Sequence, residues 1–133
     1  MDLSKLDTVA AADEGAIMDV LHPITQERLV DPETGEAVSL RLAGIDSERY
    51  RAHVRRSTNR RIQNRSRKVT AEDIEAEALD LLVAVTLGWT GIDLDGKPLP
   101  YSAANAKTLY TRCPWMREQA DVFVGDRANF FRN

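Results

Sequence analysis

The strongest pattern of apolar and polar positions in the chain runs from Thr70 to Trp89, TAEDIEAEALDLLVAVTLGW. Ile74, Ala78, Leu81, Leu82 and Val85 recur at spacings of four, three, one and three, which is one face of an amphipathic helix. Thr70 is a candidate N-cap, and Asp73 lies three residues on, where its carboxylate can reach back to the amide of the cap. Glu72, Asp73 and Glu75 set negative charge against the positive end of the helix dipole. From Leu81 to Leu87 the run is apolar nearly all round, which predicts burial on most sides. Gly88 then supplies a stop and Trp89 a large apolar body beyond it. Thr70–Leu87 is therefore expected to be the most buried helix, the hub for the other elements.

A period of two governs the N-terminal third. Ala16 to His22, AIMDVLH, reads as a strand that Pro23 breaks, and Val38, Leu40 and Leu42 alternate with Ser39 and Arg41. Between them, Asp31-Pro32-Glu33-Thr34-Gly35 is a turn, with proline presetting φ and Gly35 free to take positive φ. A hairpin is marginal alone and needs a helix over its apolar face. That argues against a separate domain. Residues 1–14 are small and polar, and are expected to form a loose arm or at best a short helix.

The remaining segments are helical. Asp46 or Ser47 caps a stretch from Glu48 to about Arg67 that has neither glycine nor proline, but only Tyr50, Val54 and Ile62 as larger apolar residues. Such a helix is expected to be largely exposed, with a fraying far end. A connector, TGIDLDGKPLPYS, carries the tight-turn pair Asp95-Gly96, after which Ser102 caps a helix from Ala103 to about Arg112. Pro114 suits the first turn of a last helix, along which Trp115, Met116, Gln119, Val122, Phe123, Phe130 and Phe131 recur at roughly helical spacing. The expected fold class is α+β: one domain over residues 1–133, with a loose N-terminal arm (1–14), a small antiparallel β-hairpin (15–44) and a mainly α-helical part of about four helices (45–133).

Composition narrows the class without naming a function. The 133 residues suit one domain, and 43% hydrophobic and 29% charged residues are ordinary for a soluble globular protein. No apolar run approaches the roughly 20 residues of a membrane span, and the acidic start MDLSKLDTVAAADEG lacks the features of a secretory signal. A single cysteine, Cys113, excludes an intrachain disulfide and suits a reducing cytoplasm. Net charge is −3, so the molecule as a whole is no polyanion binder. Its charge is nevertheless uneven. Nine of the eighteen basic residues lie between Arg49 and Lys68, and five acids follow between Glu72 and Asp80. This asymmetry marks either an interaction surface or two helices that neutralise each other.

Motifs for catalysis are missing from the sequence. His22, His53 and Cys113 lie far apart, without the close spacings of a zinc site. Asp93-Leu94-Asp95-Gly96 starts like a calcium loop, but the twelfth position is Ala104, so a turn is the better account. There is no phosphate-binding glycine loop, nucleophile elbow or H-E-x-x-H motif, and Cys113 has only Arg112 nearby to activate it. The expectation is a non-enzymatic protein without metal or cofactor. Candidate binding residues are Arg55, Arg56, Arg60 and Arg61 on the basic helix, and Trp115, Phe130 and Phe131 near the C-terminus. The basic helix could neutralise phosphates, but it matches no nucleic-acid-binding signature, so nucleic acid is not the expected partner.

The run GWTGIDLDGKPLPYSAANAKTLYTRCPWMREQADVFVGDRANFF resembles the C-terminal half of tail assembly chaperones from long-tailed bacteriophages. The likeness rests on Trp89, Gly91, the GKPLPYS run from Gly96 to Ser102, Asn105, Leu109, Pro114-Trp115, Gln119 and Phe130. AGIDSERYR, from Ala43 to Arg51, is similar to the strand-to-helix passage of those proteins, and the resemblance spans residues 38–131. It implies a small protein of the host cytoplasm, absent from the finished virion. That protein would keep the long tape-measure protein soluble and help recruit tail-tube subunits. It also implies the short form of a pair in which a longer one arises by ribosomal frameshifting, while at least one of Phe130 and Phe131 is expected to stay accessible and to contribute to self-association (a homo-oligomer) or client capture. Three other readings remain open: another small phage morphogenesis factor, such as a head–tail joining protein; a nucleic-acid-binding regulator acting through the helix over residues 49–68; and a small enzyme whose site is assembled from distant acids, for which the sequence singles out no residues.

Overall fold

A computed structural model describes residues 1–131. Its elements, in chain order, are α1 (Val9–Glu14), β1 (Ala16–Asp19), β2 (Ser39–Leu42), α2 (Glu48–Gln63), α3 (Ala71–Val85), β3 (Thr86–Thr90), β4 (Asp93–Leu94), β5 (Lys97–Pro98), α4 (Ala103–Arg112) and α5 (Pro114–Gly125). The fold is α+β. β1 and β2 pair antiparallel, with Ala16 opposite Leu42 and Asp19 opposite Ser39. The excursion between them closes on itself: Val20 N–H donates to the Val38 carbonyl, Val38 N–H to that of Leu29, and Leu29 N–H to that of Val20. Within it lies the expected turn at Asp31–Gly35. Asp31 Oδ1 accepts from Glu33 N–H at 2.9 Å, and Gly35 takes φ +74°.

The expected two-stranded hairpin is in fact two-thirds of a sheet. β3 pairs antiparallel with the other edge of β2, giving the order β1-β2-β3, with an irregularity opposite Arg41 and Leu42. The helix expected to run to Leu87 therefore stops at Val85, and Thr86 to Thr90 is a strand. Two features decide this. Thr86, Trp89 and Thr90 are β-branched or aromatic residues that fit a pleated surface. As a strand the segment also satisfies the second edge of β2, which a longer helix would leave unpaired. Thr86 marks the switch, its hydroxyl donating back to the Leu82 carbonyl at 2.8 Å.

The core likewise sits elsewhere than expected. Val20, Leu40, Leu42 and Val85 are wholly buried, and Ala106, Leu109, Tyr110, Met116, Ala120 and Val124 close the layer above them. α3 packs against α2, α4, α5 and β3, so it is central in topology. It is not the most buried helix. Only Leu82 and Val85 of its predicted face are buried, Ala78 is exposed, and Ile74 is 56% exposed. Its first two turns lie beside α2, which has no buried residue with which to cover them, and touch α5 only at the rim, where Arg117 donates to the Glu75 carbonyl at 3.3 Å.

The caps are where local chemistry dictates them. Thr70 and Asp73 form a reciprocal capping box, Ser47 accepts from Tyr50 N–H at 3.1 Å, and Ser102 accepts from Asn105 N–H at 3.0 Å. Asp95 and Gly96 both take positive φ in the tight turn between β4 and β5. The N-terminal arm is not wholly loose. α1 buries Ala12 against the Gly44–Phe130 corner, and Gly15 ends it at φ +87°, where a Cβ would lie 2.7 Å from Leu87 Cδ1.

Candidate protein-interaction surfaces

The basic helix α2 lies along the acidic first turns of α3, and the two partly neutralise each other. Arg61 forms an ion pair with Glu77, and Arg67 lies 3.7 Å from Asp73. On α2 itself Glu48 gathers Arg55 at 2.5 Å and Arg51 at 3.4 Å. The four arginines named from the sequence therefore divide into two pairs. Arg55 and Arg61 are engaged within the molecule. Arg56 and Arg60 are exposed and have no acidic partner among the described residues, Arg60 donating only to Ser57 Oγ at 3.2 Å. Their charge is felt by His53, whose pKa is lowered by partial burial first and by Arg56 and Arg60 next. A groove of about 340 Å³ runs between the end of α2 and the start of α3, lined by Arg60, Arg65 and Lys68 on one side and by Asp73, Glu77 and Asp80 on the other. Its lining carries both signs of charge.

The C-terminal aromatics separate in the same way. The last helix does not carry Phe130 and Phe131. It ends at Gly125, and a short 3-10 turn (Arg127–Asn129), capped by Asp126, redirects the chain. Phe130 then turns inward, 7% exposed, with its ring edge-on to Phe123 at 5.4 Å. Phe131 remains 38% exposed. Trp115 is half-buried, whereas Val122, part of the same apolar spacing, is 75% exposed. Gln119 occupies a stripe position for a polar reason. Its side-chain amide accepts from Leu21 N–H and donates to the Leu21 carbonyl, both at 2.9 Å. A glutamine within an apolar period was the one trace of this contact in the sequence.

Several of the residues that carry the phage resemblance, Trp89, Leu99, Pro100, Tyr101 and Asn105, meet in one network. Trp89 Nε1–H donates to the Leu99 carbonyl at 2.8 Å, and its ring meets Tyr101 edge-on at 5.2 Å. Tyr101 Oη donates to the Thr86 carbonyl at 2.5 Å, and Asn105 Nδ2 to the Pro100 carbonyl at 2.8 Å. Beneath them Tyr110 shares a hydrogen with Thr86 Oγ1 at 2.7 Å, and burial pushes its pKa up to about 12. Two bidentate pairs fasten the ends: Arg112 to Asp95 at 2.8 and 2.9 Å, and Arg127 to Asp46 at 2.7 and 2.9 Å. Each arginine holds its partner carboxyl below the usual range. This network positions the connector and both ends of the helical part. It contains no nucleophile beside a base. Cys113 lies partly buried, its thiol pKa raised by burial. No metal-binding cluster of His, Cys, Asp and Glu occurs among the described residues, and no helix there is long and apolar enough to cross a membrane.

The family model for the YdaY prophage protein matches residues 45–129, more than half of the chain and the span that holds this network. The chain belongs to the YdaY prophage protein family. It is thus a phage-associated protein, and both Asp–Arg clamps and the Trp89–Tyr101 contact fall inside the YdaY-family span. No curated protein and no solved structure matches the chain.

Proposed function

We propose that this YdaY-family protein is a non-catalytic phage tail assembly chaperone that binds the tape-measure protein and helps recruit tail-tube subunits. It acts in the bacterial cytoplasm and is left out of the mature virion. The observation that carries the reading is the exposed α2 surface. A sixteen-residue helix with no buried side chain contributes little to the core, yet it presents Arg56 and Arg60 without an acidic partner among the described residues. Such a face suits a polar, acidic stretch of a protein client. The prophage family match overlaps the segment that resembles tail chaperones, which supports a morphogenetic role over an unrelated host one.

The test is co-expression with the tape-measure candidate from the same gene cluster, followed by pull-down. The client is expected to co-purify in soluble form, and Arg56→Glu with Arg60→Glu to weaken its capture while the thermal midpoint stays close to wild type. Tight duplex DNA binding with a steep dependence on salt would replace this reading with the nucleic-acid one.

A further inference from the structure

A second surface, between α5 and the outer edge of the sheet, points to a different mode of recognition. β1 is an outer strand of the sheet. Its register with β2, together with the bond from Val20 N–H to the Val38 carbonyl, turns the backbone groups of residues 16, 18 and 20 towards β2. Those of Ile17, Asp19 and Leu21 consequently face outward. At Leu21 both groups are taken by the Gln119 amide, which stands where the peptide of a neighbouring strand would stand. Further back along this edge, the outward groups of Ile17 and Asp19 have no partner among the described residues.

The Gln119 clamp holds α5 beside this edge and leaves an open groove of about 540 Å³ between them. Met18 and Leu21 line it on the sheet side, and Trp115, Val122 and Phe123 on the helix side. The charged residues in the lining are Asp19 and Glu118, both acidic. Asp19 shares Arg28 at 3.4 Å, while Glu118 has no ion-pair partner among the described residues.

We propose that this groove binds an extended peptide segment of a partner protein as an added strand beside β1, with apolar side chains at alternate positions and a lysine or arginine set against Glu118. Unpaired edge groups provide main-chain hydrogen bonds, and the apolar wall of α5 selects every second side chain. A second copy of the chain is a poor occupant. Edge-to-edge pairing of two β1 strands would bring two sets of Asp19 and Glu118 together, like charges that oppose association. This inference stands independently of the tail-chaperone reading, since it uses neither α2 nor the identity of a client.

The test uses a library of seven-residue peptides with apolar residues at alternate positions and one lysine, titrated against the full chain. The tightest member is expected to slow hydrogen exchange at the Ile17 and Asp19 amides. N-methylation of one alternate set of its amides should weaken binding by about tenfold or more, while methylation of the other set is tolerated. Val122→Asp, at an exposed position, should weaken it similarly. Glu118→Lys should reverse the preference from the lysine peptide to its glutamate counterpart. Binding that is indifferent to which amide set is methylated overturns the proposal, as does the absence of any binder in the library. A dimer that Val122→Asp dissociates would assign the groove to a second copy and overturn it equally.

Discussion

Two parts of the molecule are built from similar helices and held by different forces. In one, the sheet and α4–α5 bury Leu40, Leu42, Leu109, Tyr110 and Met116 against one another, and the polar contacts that remain are short and satisfied. In the other, α2 and the residues just after it meet the first turns of α3 through the pairs Arg61–Glu77 and Arg67–Asp73, whose arginines are half-exposed or more. Exposed ion pairs are worth roughly 0–1 kcal/mol each, whereas burying one large apolar side chain is worth about 1.5–3 kcal/mol. The first part therefore sets whether the chain folds, and the second is free to be a working surface. α3 joins them, with its C-terminal half in the core and its N-terminal half outside it.

The sharpest way to break the comparison is along α3 itself. Leu82→Asp places a carboxylate at a 2% exposed position with no cation to meet it, and should cost more than about 4 kcal/mol and unfold the chain. Ile74→Asp, two turns earlier and 56% exposed, should change stability by no more than about 0.5 kcal/mol. Urea denaturation of the two variants measures the difference. Equal costs would mean that α3 is buried along its whole length.

The C-terminal aromatics offer the same contrast at smaller scale. Phe130→Ala removes a ring packed on Phe123 and Gly44, and about 3–5 kcal/mol should be lost. Phe131→Ala should leave the thermal midpoint nearly unchanged. If Phe131 contributes to self-association, as its exposure allows, sedimentation will report a smaller species for that variant at equal stability.

What the sequence made legible follows from the range of each interaction. The caps at Ser47, Thr70 and Ser102, the turns at Asp31–Gly35 and Asp95–Gly96, and Pro114 at a helix start all depend on neighbours a few residues away, and each was readable. The strand at Thr86–Thr90 was not. Its apolar run continues that of the helix, and only pairing with Ser39–Leu42, far off in sequence, makes it a strand. The extension of the last helix to Phe131 failed because Gly125 and the Asp126 cap outweigh a continuing aromatic period. At the candidate surfaces, arginine density was visible, but which arginines are engaged depends on where Glu48, Asp73 and Glu77 come to lie.

Within the buried part, the polar network can be separated from the packing. Tyr110→Phe keeps the ring and removes the hydroxyl that meets Thr86 Oγ1. Thr86 still donates to Leu82, so no buried donor is stranded, and the loss should be about 1 kcal/mol. Thermal denaturation against wild type measures it. A loss as large as that of Phe130→Ala would make the Thr86 network, not the apolar contacts, the organiser of the β3 junction.

The smallest expected effect is a pH dependence that belongs to the charged part alone. His53 is half-buried on α2, and burial, then Arg56 and Arg60, hold its pKa below 6.5, against the weaker opposing pull of Asp80 and Glu77. Unfolded, the same imidazole returns to its ordinary value. As pH falls through that value the unfolded chain takes up a proton before the folded chain does, so acidification favours unfolding, and the stability is fully present only above it. The carboxyls of Asp46, Glu48, Asp73 and Asp95 are lowered from the ordinary carboxylate range, so their contribution is lost only in more acidic solution. The two windows therefore separate. Between about pH 7.5 and about pH 5.5 the wild-type urea midpoint should fall by more than that of His53→Gln, which has nothing to protonate at that position. Arg56→Glu with Arg60→Glu should bring the wild-type slope down as well, because a negative neighbourhood restores the charged imidazole. A slope that survives in His53→Gln would move the titrating group off α2 and remove the distinction between a charged surface and an indifferent core.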